Sequence, residues 1–368
     1  MMKRHFLISG GGTGGHIFPA LSIAKEIERR YPHCVLLFVG ASDRMEMDKI
    51  PVAGYSIKGL WISGFQRSFS LKNFLFPIKL IFSVLRSFLI ILRFNPEVVI
   101  GTGGYASGPI LWVASLLKIP TIIQEQNSYP GITNKILSSK VSQICVAYPG
   151  LEKFFPKEKL NLTGNPIREE IELGVYNRDE VLGSFGFEKD KPMVLVLGGS
   201  LGSKRINETV LNNISWFKDN AVQLIWQTGM LYYDRCKSAQ MRLGDLGQIQ
   251  AFITEMGPVL AAADVVVSRA GAIALSEFCS LGKACVLVPS PSVAEDHQKK
   301  NAQALSENDA AILVEEKNID TELFESINLL VNDVHMQKKL GINCKKMDKP
   351  KAAVKIVDII EKLIHDKA

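Results

Sequence analysis

The sequence alternates short, almost wholly apolar runs with helical patterns, and this alternation constrains the fold more than any other feature. Strands that are apolar at consecutive positions are buried on both faces, and intervening helices make them parallel. The runs fall into two series of six, at residues 5–9, 34–39, 97–100, 121–124, 143–148 and 160–163, then 193–197, 222–226, 248–253, 264–268, 284–288 and 310–314. The pattern predicts an α/β protein with two doubly wound parallel-sheet domains.

The two series are separated by a turn signal at Gly164-Asn165-Pro166. A chain of 368 residues is long for one hydrophobic core. We therefore expect one domain over residues 1–164 and a second over 165–350, with a closing helix at about 351–368 that packs back on the first. Ligands of such sheets bind beyond the carboxyl ends of the strands, so the loops there are the candidate sites, in a cleft between the domains.

The first of these loops has the sequence GGGTGGH. Gly10, Gly12 and Gly15 match the G-x-G-x-x-G pattern of dinucleotide sites, whereas Asp43 matches the acidic ribose ligand of those sites only loosely. His16 directly follows the last glycine, where an imidazole suits proton transfer, although it is equally an ordinary residue of a first helical turn. From this loop alone, two functions stay open: an oxidoreductase that binds NAD(P), and a protein that binds another phosphate-containing ligand.

The glycine loop of the second series, GGSLG at 198–202, matches the G-x-S-x-G nucleophile elbow of hydrolases. Asp264 and His297 are the nominal partners of such a serine. Because the motif opens the second of two sheets rather than one large sheet, we favour Ser200 as a phosphate-binding hydroxyl, with a helix N-cap as the alternative.

The stretch SRAGAIALSEFCSLG predicts a strand end, a glycine turn and a helix start at 268–282. Backbone N–H groups around 270–272 suit a diphosphate, and Glu277 suits two ribose hydroxyls, unless it only complements the helix dipole. Further along, Asp296, His297, Gln298 and Asn301 offer polar groups for a sugar. No histidine pair has metal-ligand spacing, so we expect no metal site.

The net charge of +6 is concentrated in one segment. Seven basic residues and no acidic one lie between residues 48 and 97, which is too local for a nucleic-acid footprint. Lys72, Lys79, Arg86 and Arg93 recur every seven residues and form one helical stripe, because seven residues bring a helix back to within about 20°. Most of the other positions are apolar, which predicts a helix lying on an anionic membrane surface. The alternative is a core helix with snorkelling basic side chains.

Seven motifs occur in order: GGTGGHIFPAL, SDRME, GTGGYASGP, EQN, GNPIR, GGSLGS and SRAGAIALSE with HQKKNA. On these motifs, from about residue 8 to 302, the chain resembles the MurG family of peripheral N-acetylglucosaminyltransferases. The resemblance implies a GT-B fold of two Rossmann-like domains facing a central cleft. It also implies transfer of N-acetylglucosamine from UDP-GlcNAc to the 4-hydroxyl of the N-acetylmuramyl-pentapeptide of lipid I, with inversion, forming lipid II for peptidoglycan synthesis.

The resemblance also implies site residues. Positions that match the family's donor site are Thr13, Gly14, Gly15, Asn127, Arg168, Ser200, Ile253, Ala272, Ile273, Ala274, Leu275, Ser276, Glu277 and Gln298. By position His16 is the best candidate for the general base, and Ile253 is expected to read the uracil edge through its backbone. Ser200, Arg168 and the helix start near Gly271 are expected to offset charge on the departing diphosphate.

The implied partners are UDP-GlcNAc, lipid I and an anionic membrane surface at the cytoplasmic face of the bacterial inner membrane. Other cell-wall synthesis proteins stay open as partners, and nucleic acid is not expected. We expect no tightly bound cofactor; a divalent cation such as magnesium with the diphosphate stays open. Six scattered cysteines indicate a reducing compartment. The chain departs from the family pattern at His297, where some relatives have glutamine, and in its unusually apolar segment 68–94.

A third class of function is a non-catalytic membrane-surface adaptor on an inactive transferase scaffold. The intact glycine loops, together with Glu277 and Gln298, argue against it.

Overall fold

The computed structural model describes residues 3–64, 75–199 and 201–366, which form two compact units. Unit 1 comprises residues 1–167 and 349–368, and unit 2 comprises residues 168–348. The division lies three residues beyond the expected boundary at Gly164. Asn165 explains the difference, because its side chain accepts a hydrogen bond from Gln124 Nε2 at 2.9 Å and donates one to Gln126 O at 3.0 Å. These bonds fasten the turn to unit 1.

Unit 1 is built on a seven-stranded parallel sheet of order β3-β2-β1-β4-β5-β6-β7. Its elements are β1 (His5–Gly10), α1 (Gly14–Arg30), β2 (Val35–Ala41), α2 (Glu46–Val52), β3 (Ser56–Leu60), α3 (Phe76–Phe94), β4 (Val98–Gly103), α4 (Ser107–Leu116), β5 (Thr121–Glu125), α5 (Ile132–Leu137), β6 (Gln143–Val146) and β7 (Leu160–Leu162). Short 3-10 turns occupy Leu151–Lys153 and Lys157–Lys159.

Unit 2 has a six-stranded parallel sheet of order β10-β9-β8-β11-β12-β13. Its elements are α6 (Glu169–Glu172), α7 (Arg178–Ser184), β8 (Met193–Leu197), α8 (Lys204–Asn212), α9 (Ile214–Asp219), β9 (Gln223–Gln227), α10 (Tyr233–Cys236), α11 (Gln240–Leu243), β10 (Gly247–Gln250), α12 (Met256–Ala262), β11 (Val265–Ser268), α13 (Ala272–Leu281), β12 (Ala284–Leu287), α14 (His297–Ser306), β13 (Ile312–Leu313), α15 (Ile319–Asn332) and α16 (Val334–Lys346). Further 3-10 turns lie at Lys237–Ala239, Gly244–Leu246, Ala294–Asp296 and Glu316–Asn318.

The last helix, α17 (Ala352–His365), belongs to unit 1. Its apolar stripe, which includes Ile356 and Ile360, packs into one core with Ile17 and Ile23 of α1. Arg30 of α1 pairs with two acidic side chains of the helix, at 2.7 Å and 3.0 Å. The chain therefore returns to its first unit after completing the second.

Successive strand residues of unit 1 pack into two different layers. Phe6 and Ile8 face the core that α1 and α17 cover, whereas Leu7 faces the core that holds Ile90 of α3 and Ile110 of α4. Coverage on both faces is what the continuous apolar runs predicted, and the expected fold class is confirmed. With both faces covered, the carboxyl edge of each sheet is where polar loops gather.

Candidate active site

In unit 1 the loop after β1 places an imidazole at the carboxyl edge of the sheet. His16 lies in the first turn of α1, and its Nδ1 is 2.7 Å from the carbonyl oxygen of Gly11. Because a carbonyl only accepts, Nδ1 carries the proton in the neutral imidazole, and Nε2 is then the accepting nitrogen. Thr13, the N-cap of α1, lies 3.4 Å from the same Nδ1 through Oγ1. This is the tautomer that a general base acting through Nε2 requires.

Two glycines at the end of β4 make room for this arrangement. Gly103 has φ +105°, and a Cβ added there would lie 2.7 Å from His16 Cδ2. Gly104 has φ +88°, and its Cβ would lie 2.4 Å from Gly11 O. Thr102, on the same strand, donates through Oγ1 to His16 O at 2.8 Å. The GTGG motif therefore shapes the space that the imidazole occupies.

A buried carboxylate, Glu46, binds the backbone of the first glycine loop. It lies at the start of α2 and accepts the backbone N–H of Gly12 at 2.7 Å and that of Ala41 at 2.9 Å. Asp43, the loose match to a dinucleotide ribose ligand, is instead an exposed residue near Arg44. The acidic group that reaches the glycine loop thus binds the protein's own backbone, which weakens the dinucleotide interpretation. Sequence reasoning missed Glu46, although its place soon after the second strand, in the SDRME motif, was a usable signal.

A second buried carboxylate, Glu125, organises the loop after β5. It accepts the backbone N–H and the side-chain amide of Asn127, at 3.0 Å and 3.1 Å. It also accepts Gly131 N at 3.0 Å and Asn134 Nδ2 at 2.8 Å. Asn127, a predicted substrate-binding residue, is therefore held at the sheet edge by two bonds to this carboxylate, and the other two bonds fasten the rest of the loop.

In unit 2 the start of α13 presents backbone N–H groups at the carboxyl edge of the sheet. The N-cap is Gly271, and no side chain caps the helix among the described residues. Leu275 N donates to Gly271 O at 3.0 Å, so the N–H groups of 272–274 precede the first helical bond. The side chains of Ile273 and Leu275 are buried. The predicted run 272–277 can therefore meet a phosphate through its backbone, not through those side chains.

Arg168 and Glu277 form a bidentate ion pair in unit 2. Nε donates to Oε1 at 2.7 Å and Nη2 donates to Oε2 at 2.8 Å. Burial raises the pKa of the Glu277 carboxyl, and the guanidinium opposes that rise. Burial alone would lower the pKa of Arg168, but the bonds to Glu277 outweigh it and raise that pKa. We take both groups as charged, because a two-bond fork between opposite charges favours the ionised forms. Sequence reasoning gave these residues separate ligands and did not foresee that they bind each other.

The backbone of Ile253 can make fewer hydrogen bonds to a base than expected, because its N–H is already used. Its N–H donates to Gln227 Oε1 at 2.9 Å, and Gln227 Nε2 donates to Gly199 O at 3.2 Å. The side chain of Ile253 is buried. A base at this position would meet only the carbonyl of Ile253. Gln227, which ties the loop that holds Ile253 to Gly199, is a residue that the motifs did not reveal.

Two predicted residues, Ser200 and Lys72, lie outside the described residues. The N-cap of α8, the alternative role for Ser200, is filled by Ser203, whose Oγ accepts Ile206 N at 3.4 Å. The hydrolase alternative does not fit unit 2. Asp264 precedes β11 and binds Arg178 and Met193 N, each at 2.7 Å, at the amino end of the sheet. Gly198 and Gly199 follow β8 at the opposite end.

The start of α14 and the turn before it only partly match the sugar contacts expected there. Gln298 Oε1 accepts a hydrogen bond from Ser290 N at 2.9 Å. The oxygen is therefore already used, and the amide N–H groups are the part of Gln298 that suits a sugar hydroxyl. Asn301 is buried, and its Nδ2 lies 3.4 Å from Ala270 O, so it braces the turn before α13 rather than facing a ligand. Glu295 and Asp296 adopt positive φ angles of 57° and 54°.

Helix α3 exposes an apolar face. Its buried residues are Ser83, Ser87, Ile90 and Ile91. On the opposite side seven large apolar side chains are 41–60% exposed, a set we call the outer face: Ile78, Ile81, Phe82, Leu85, Phe88, Leu89 and Leu92. The inner side of α3 packs into the core of unit 1 through Ile90 and Ile91, as the core-helix alternative expects, but that alternative does not account for the exposed outer face.

The basic stripe runs beside the outer face of α3. Lys79 donates to Ser63 Oγ at 3.1 Å and lies 5.4 Å from the centre of the Trp61 ring, whereas Arg86 and Arg93 are exposed. The described part of the chain contains no helix with the length and apolarity needed to cross a membrane.

Cysteine and metal chemistry add little to the site. All six cysteines are free thiols. Among the described residues no group of three or more His, Cys, Asp or Glu side chains could hold a metal ion.

Two family models match the chain. The model described as "Glycosyltransferase family 28 N-terminal domain" matches residues 6–146, and "Glycosyltransferase family 28 C-terminal domain" matches residues 193–356. The first lies within unit 1, and the second covers most of unit 2 and the start of α17.

Curated relatives are similar over nearly their whole length. A protein of Christiangramia forsetii is 52% identical over 364 residues, 98% of each chain, and one of Flavobacterium psychrophilum is 50% identical over 365 residues, 99% of each. Both are named UDP-N-acetylglucosamine--N-acetylmuramyl-(pentapeptide) pyrophosphoryl-undecaprenol N-acetylglucosamine transferase.

Solved structures share the architecture. MurG of Acinetobacter baumannii has a TM-score of 0.78 at 26% identity, with 98% of this chain and 99% of that one covered. A UDP-GlcNAc 2-epimerase from Neisseria meningitidis, bound to UDP-GlcNAc, has a TM-score of 0.66 at 15% identity, covering 98% of this chain and all of its own. At that identity the likeness shows the fold alone.

Proposed function

The chain belongs to glycosyltransferase family 28, and on that premise we propose that it transfers N-acetylglucosamine from UDP-GlcNAc to the N-acetylmuramyl-pentapeptide of pyrophosphoryl-undecaprenol. The observation that carries the proposal is an identity of 46–52% to eight proteins named for this reaction, over 91–100% of their length. The acceptor is lipid I, the attacking group its 4-hydroxyl, and the product lipid II for peptidoglycan.

In unit 1, His16 takes the proton of the attacking hydroxyl through Nε2. A single displacement with inversion needs a base on the acceptor and help for the leaving group. The tautomer fixed by Gly11 O supports this role, because Nε2 is then the basic nitrogen. Polar and backbone contacts to the substrates come from the same sheet edge, where the start of α1 and the loop after β5 place Thr13, Gly14, Gly15 and Asn127.

In unit 2, the N-terminus of α13 holds the donor diphosphate. Its N–H groups and dipole favour an anion whose charge grows as UDP departs. Arg168 adds positive charge, and each oxygen of Glu277 keeps a second lone pair for a ribose hydroxyl beside its bond to Arg168. Gln298 offers amide donors to the sugar. The Ile253 carbonyl accepts from the uracil imide N–H, since the Ile253 N–H is already used.

The outer face of α3 lies on the anionic cytoplasmic face of the membrane that carries the acceptor. Seven exposed apolar side chains on one helix exceed what a monomer surface normally shows, and Arg86 and Arg93 suit anionic headgroups. Each basic residue near such a surface contributes about 1 kcal/mol.

Labelled UDP-GlcNAc and a lipid I analogue test the transfer. We expect acceptor-dependent transfer that Glu277→Ala abolishes and that His16→Ala slows by about 10²–10⁴-fold in kcat. Label released equally fast without acceptor would reject the proposal, and near-normal kcat in His16→Ala would remove His16 from the role of base.

Binding of NAD(P)H without binding of UDP would favour an oxidoreductase instead. Repeating the assay with EDTA decides the open question of magnesium.

Vesicle sedimentation tests the membrane surface. Arg86→Glu with Arg93→Glu should weaken binding to anionic vesicles by more than the about 2 kcal/mol that two lost basic residues imply, because acidic residues replace them. Ile81→Ser with Leu85→Ser should weaken binding to neutral vesicles as well. Leu329→Ser, at a 44% exposed apolar helix position of unit 2, is the control. Unchanged binding in all variants would contradict the proposal.

A further inference from the structure

One peptide group connects a buried carboxylate to the candidate base. The amide between Gly11 and Gly12 has its N–H bonded to Glu46 Oε2 at 2.7 Å and its C=O bonded to His16 Nδ1 at 2.7 Å. The two ends of a peptide group are conjugated. A negative charge on the N–H end therefore increases the negative charge on the carbonyl oxygen, and bonds in such a chain strengthen one another.

The surroundings of Glu46 suit the charged form of its side chain. Oε1 accepts Ala41 N at 2.9 Å while Oε2 accepts Gly12 N, so both oxygens face N–H donors. A protonated carboxyl would turn its own O–H toward one of these donors. Glu46 is fully buried, so solvent and salt screen its charge little.

The connecting peptide is held on both sides. A Cβ at Gly11 would lie 2.1 Å from Glu46 Oε1, and one at Gly104 would lie 2.4 Å from Gly11 O. Gly12 adopts φ +84°, a left-handed conformation that favours glycine. These contacts fix which way the peptide points, and with it the orientation of the carbonyl that His16 meets.

We propose that Glu46 is a positioning residue for His16, acting through the Gly11–Gly12 peptide. The relay keeps the imidazole in the tautomer with hydrogen on Nδ1 and strengthens Nε2 as a base. When Nε2 takes the acceptor's proton, the new positive charge is stabilised by the Glu46 carboxylate across the peptide. The kinetic part of this proposal rests on the proposed function, in which His16 is the base.

Nitrogen-15 NMR of the free, full-length protein tests the relay without any substrate. The wild-type His16 should show a protonated Nδ1 and an unprotonated Nε2 at high pH, with its signals identified by their loss in His16→Gln. In Glu46→Gln the pKa of His16 should fall by about half to one pH unit, because a nearby negative charge has been removed. A neutral His16 protonated on Nε2 would overturn the proposal, as would an unchanged titration in folded Glu46→Gln.

Glu125→Gln is the matched control for this measurement. Glu125 is another buried carboxylate of unit 1 that accepts backbone N–H groups, yet its bonds lead to the loop after β5 and not to Gly11. The His16 titration should not move in this variant. If Glu46→Gln does not fold, the wild-type tautomer and Glu46→Asp, which keeps the charge but is one methylene shorter, decide the question.

Kinetics separate the relay from the proposed function. Glu46→Gln should lower kcat about tenfold with the donor KM within about twofold, and should move the acid limb of kcat/KM to lower pH together with the NMR titration. A shifted titration with unchanged kcat would overturn the catalytic part of the proposal. If the wild-type protein transfers no sugar at all, the proposed function is wrong. The NMR result still tests the relay in that case, because it needs no substrate.

Discussion

Lys283 is a half-buried ammonium whose charge opposes folding. Its Nζ donates to the carbonyl oxygens of Ala261 and Ala263, and burial lowers its pKa from 10.5 to about 8. Between these two values the unfolded chain binds more protons than the native state, so the free energy of unfolding rises with pH. The free energy of unfolding of the wild type should therefore rise by about 2 kcal/mol between about pH 7 and 10, compared with that of Lys283→Met. Urea denaturation of both proteins at each pH measures the difference. A difference between the two proteins that is independent of pH would contradict this.

The pair of Arg168 and Glu277 combines a structural and a functional role that a double variant can separate. Glu277→Gln leaves a guanidinium facing an amide donor and should lower the free energy of unfolding by about 1–3 kcal/mol. Arg168→Met with Glu277→Leu removes both charges and should recover most of that loss, because two apolar groups replace a buried pair nearly without cost. UDP binding, followed by calorimetry, should stay weak in both variants. Recovery of UDP binding in the double variant would show that the pair does not bind donor.

At the residue scale, sequence reasoning located the loops but not their internal contacts. His16 follows directly from the glycine motif, because its neighbours in sequence are also its neighbours in space. Glu46 lies 34 residues from its partner Gly12, and only the pairing of β2 with β1 and the packing of α2 against α1 bring them together. For the same reason the mutual bonds of Arg168 and Glu277, 109 residues apart, could not be read from two separate motifs.

At the scale of elements, the turn from β4 to α4 tests whether backbone shape controls the imidazole. Gly103→Ala adds a methyl group to a residue at φ +105°, 2.7 Å from His16 Cδ2. We expect Gly103→Ala to lower the free energy of unfolding by about 1–3 kcal/mol and to lower kcat. Thermal unfolding measures the first effect and the transfer assay measures the second. Gly183→Ala in α7 is the control, since its Cβ meets nothing within 4 Å and alanine favours a helix. Equal behaviour of the two variants would contradict the argument.

The strands show which elements a sequence can reveal. All twelve apolar runs are strands, because a strand buried on both faces has to be apolar at successive positions. The strand that was not predicted, β3, is at the edge of its sheet and mixes buried with exposed residues, as in Lys58 and Leu60. In α3 the sequence showed the basic stripe, but only the structure shows that the apolar residues beside it face outward.

At the scale of the molecule, the return of α17 makes the last residues part of the first unit. Ile360 is fully buried in the core shared with α1. Ile360→Ala should cost about 2–5 kcal/mol, as for other buried isoleucines. Hydrogen exchange should show the loss of protection in β1, α1 and α17, with β8 of unit 2 unaffected. Equal loss of protection in both units would mean that they unfold as one.

The division into units was predictable only in outline. The turn at 164–166 is a clear signal, yet the side-chain bonds of Asn165 place it within unit 1. Amphipathicity predicted a closing helix, because a stripe of Ile356, Ile360 and Ile364 needs a partner surface. Which surface it covers depends on contacts with α1 that lie more than three hundred residues earlier in the chain.

The linkage of the product tests the central claim most directly. Carbon-13 labelled UDP-GlcNAc, incubated with the protein and a lipid I analogue, should give one new disaccharide, β-linked to the 4-position of the muramyl sugar and formed only with acceptor present. NMR of the anomeric carbon reads the linkage. An α-linked product would contradict the single inverting displacement through His16. Epimerised or hydrolysed UDP-GlcNAc, formed without acceptor, would contradict the assignment of the chain as a transferase.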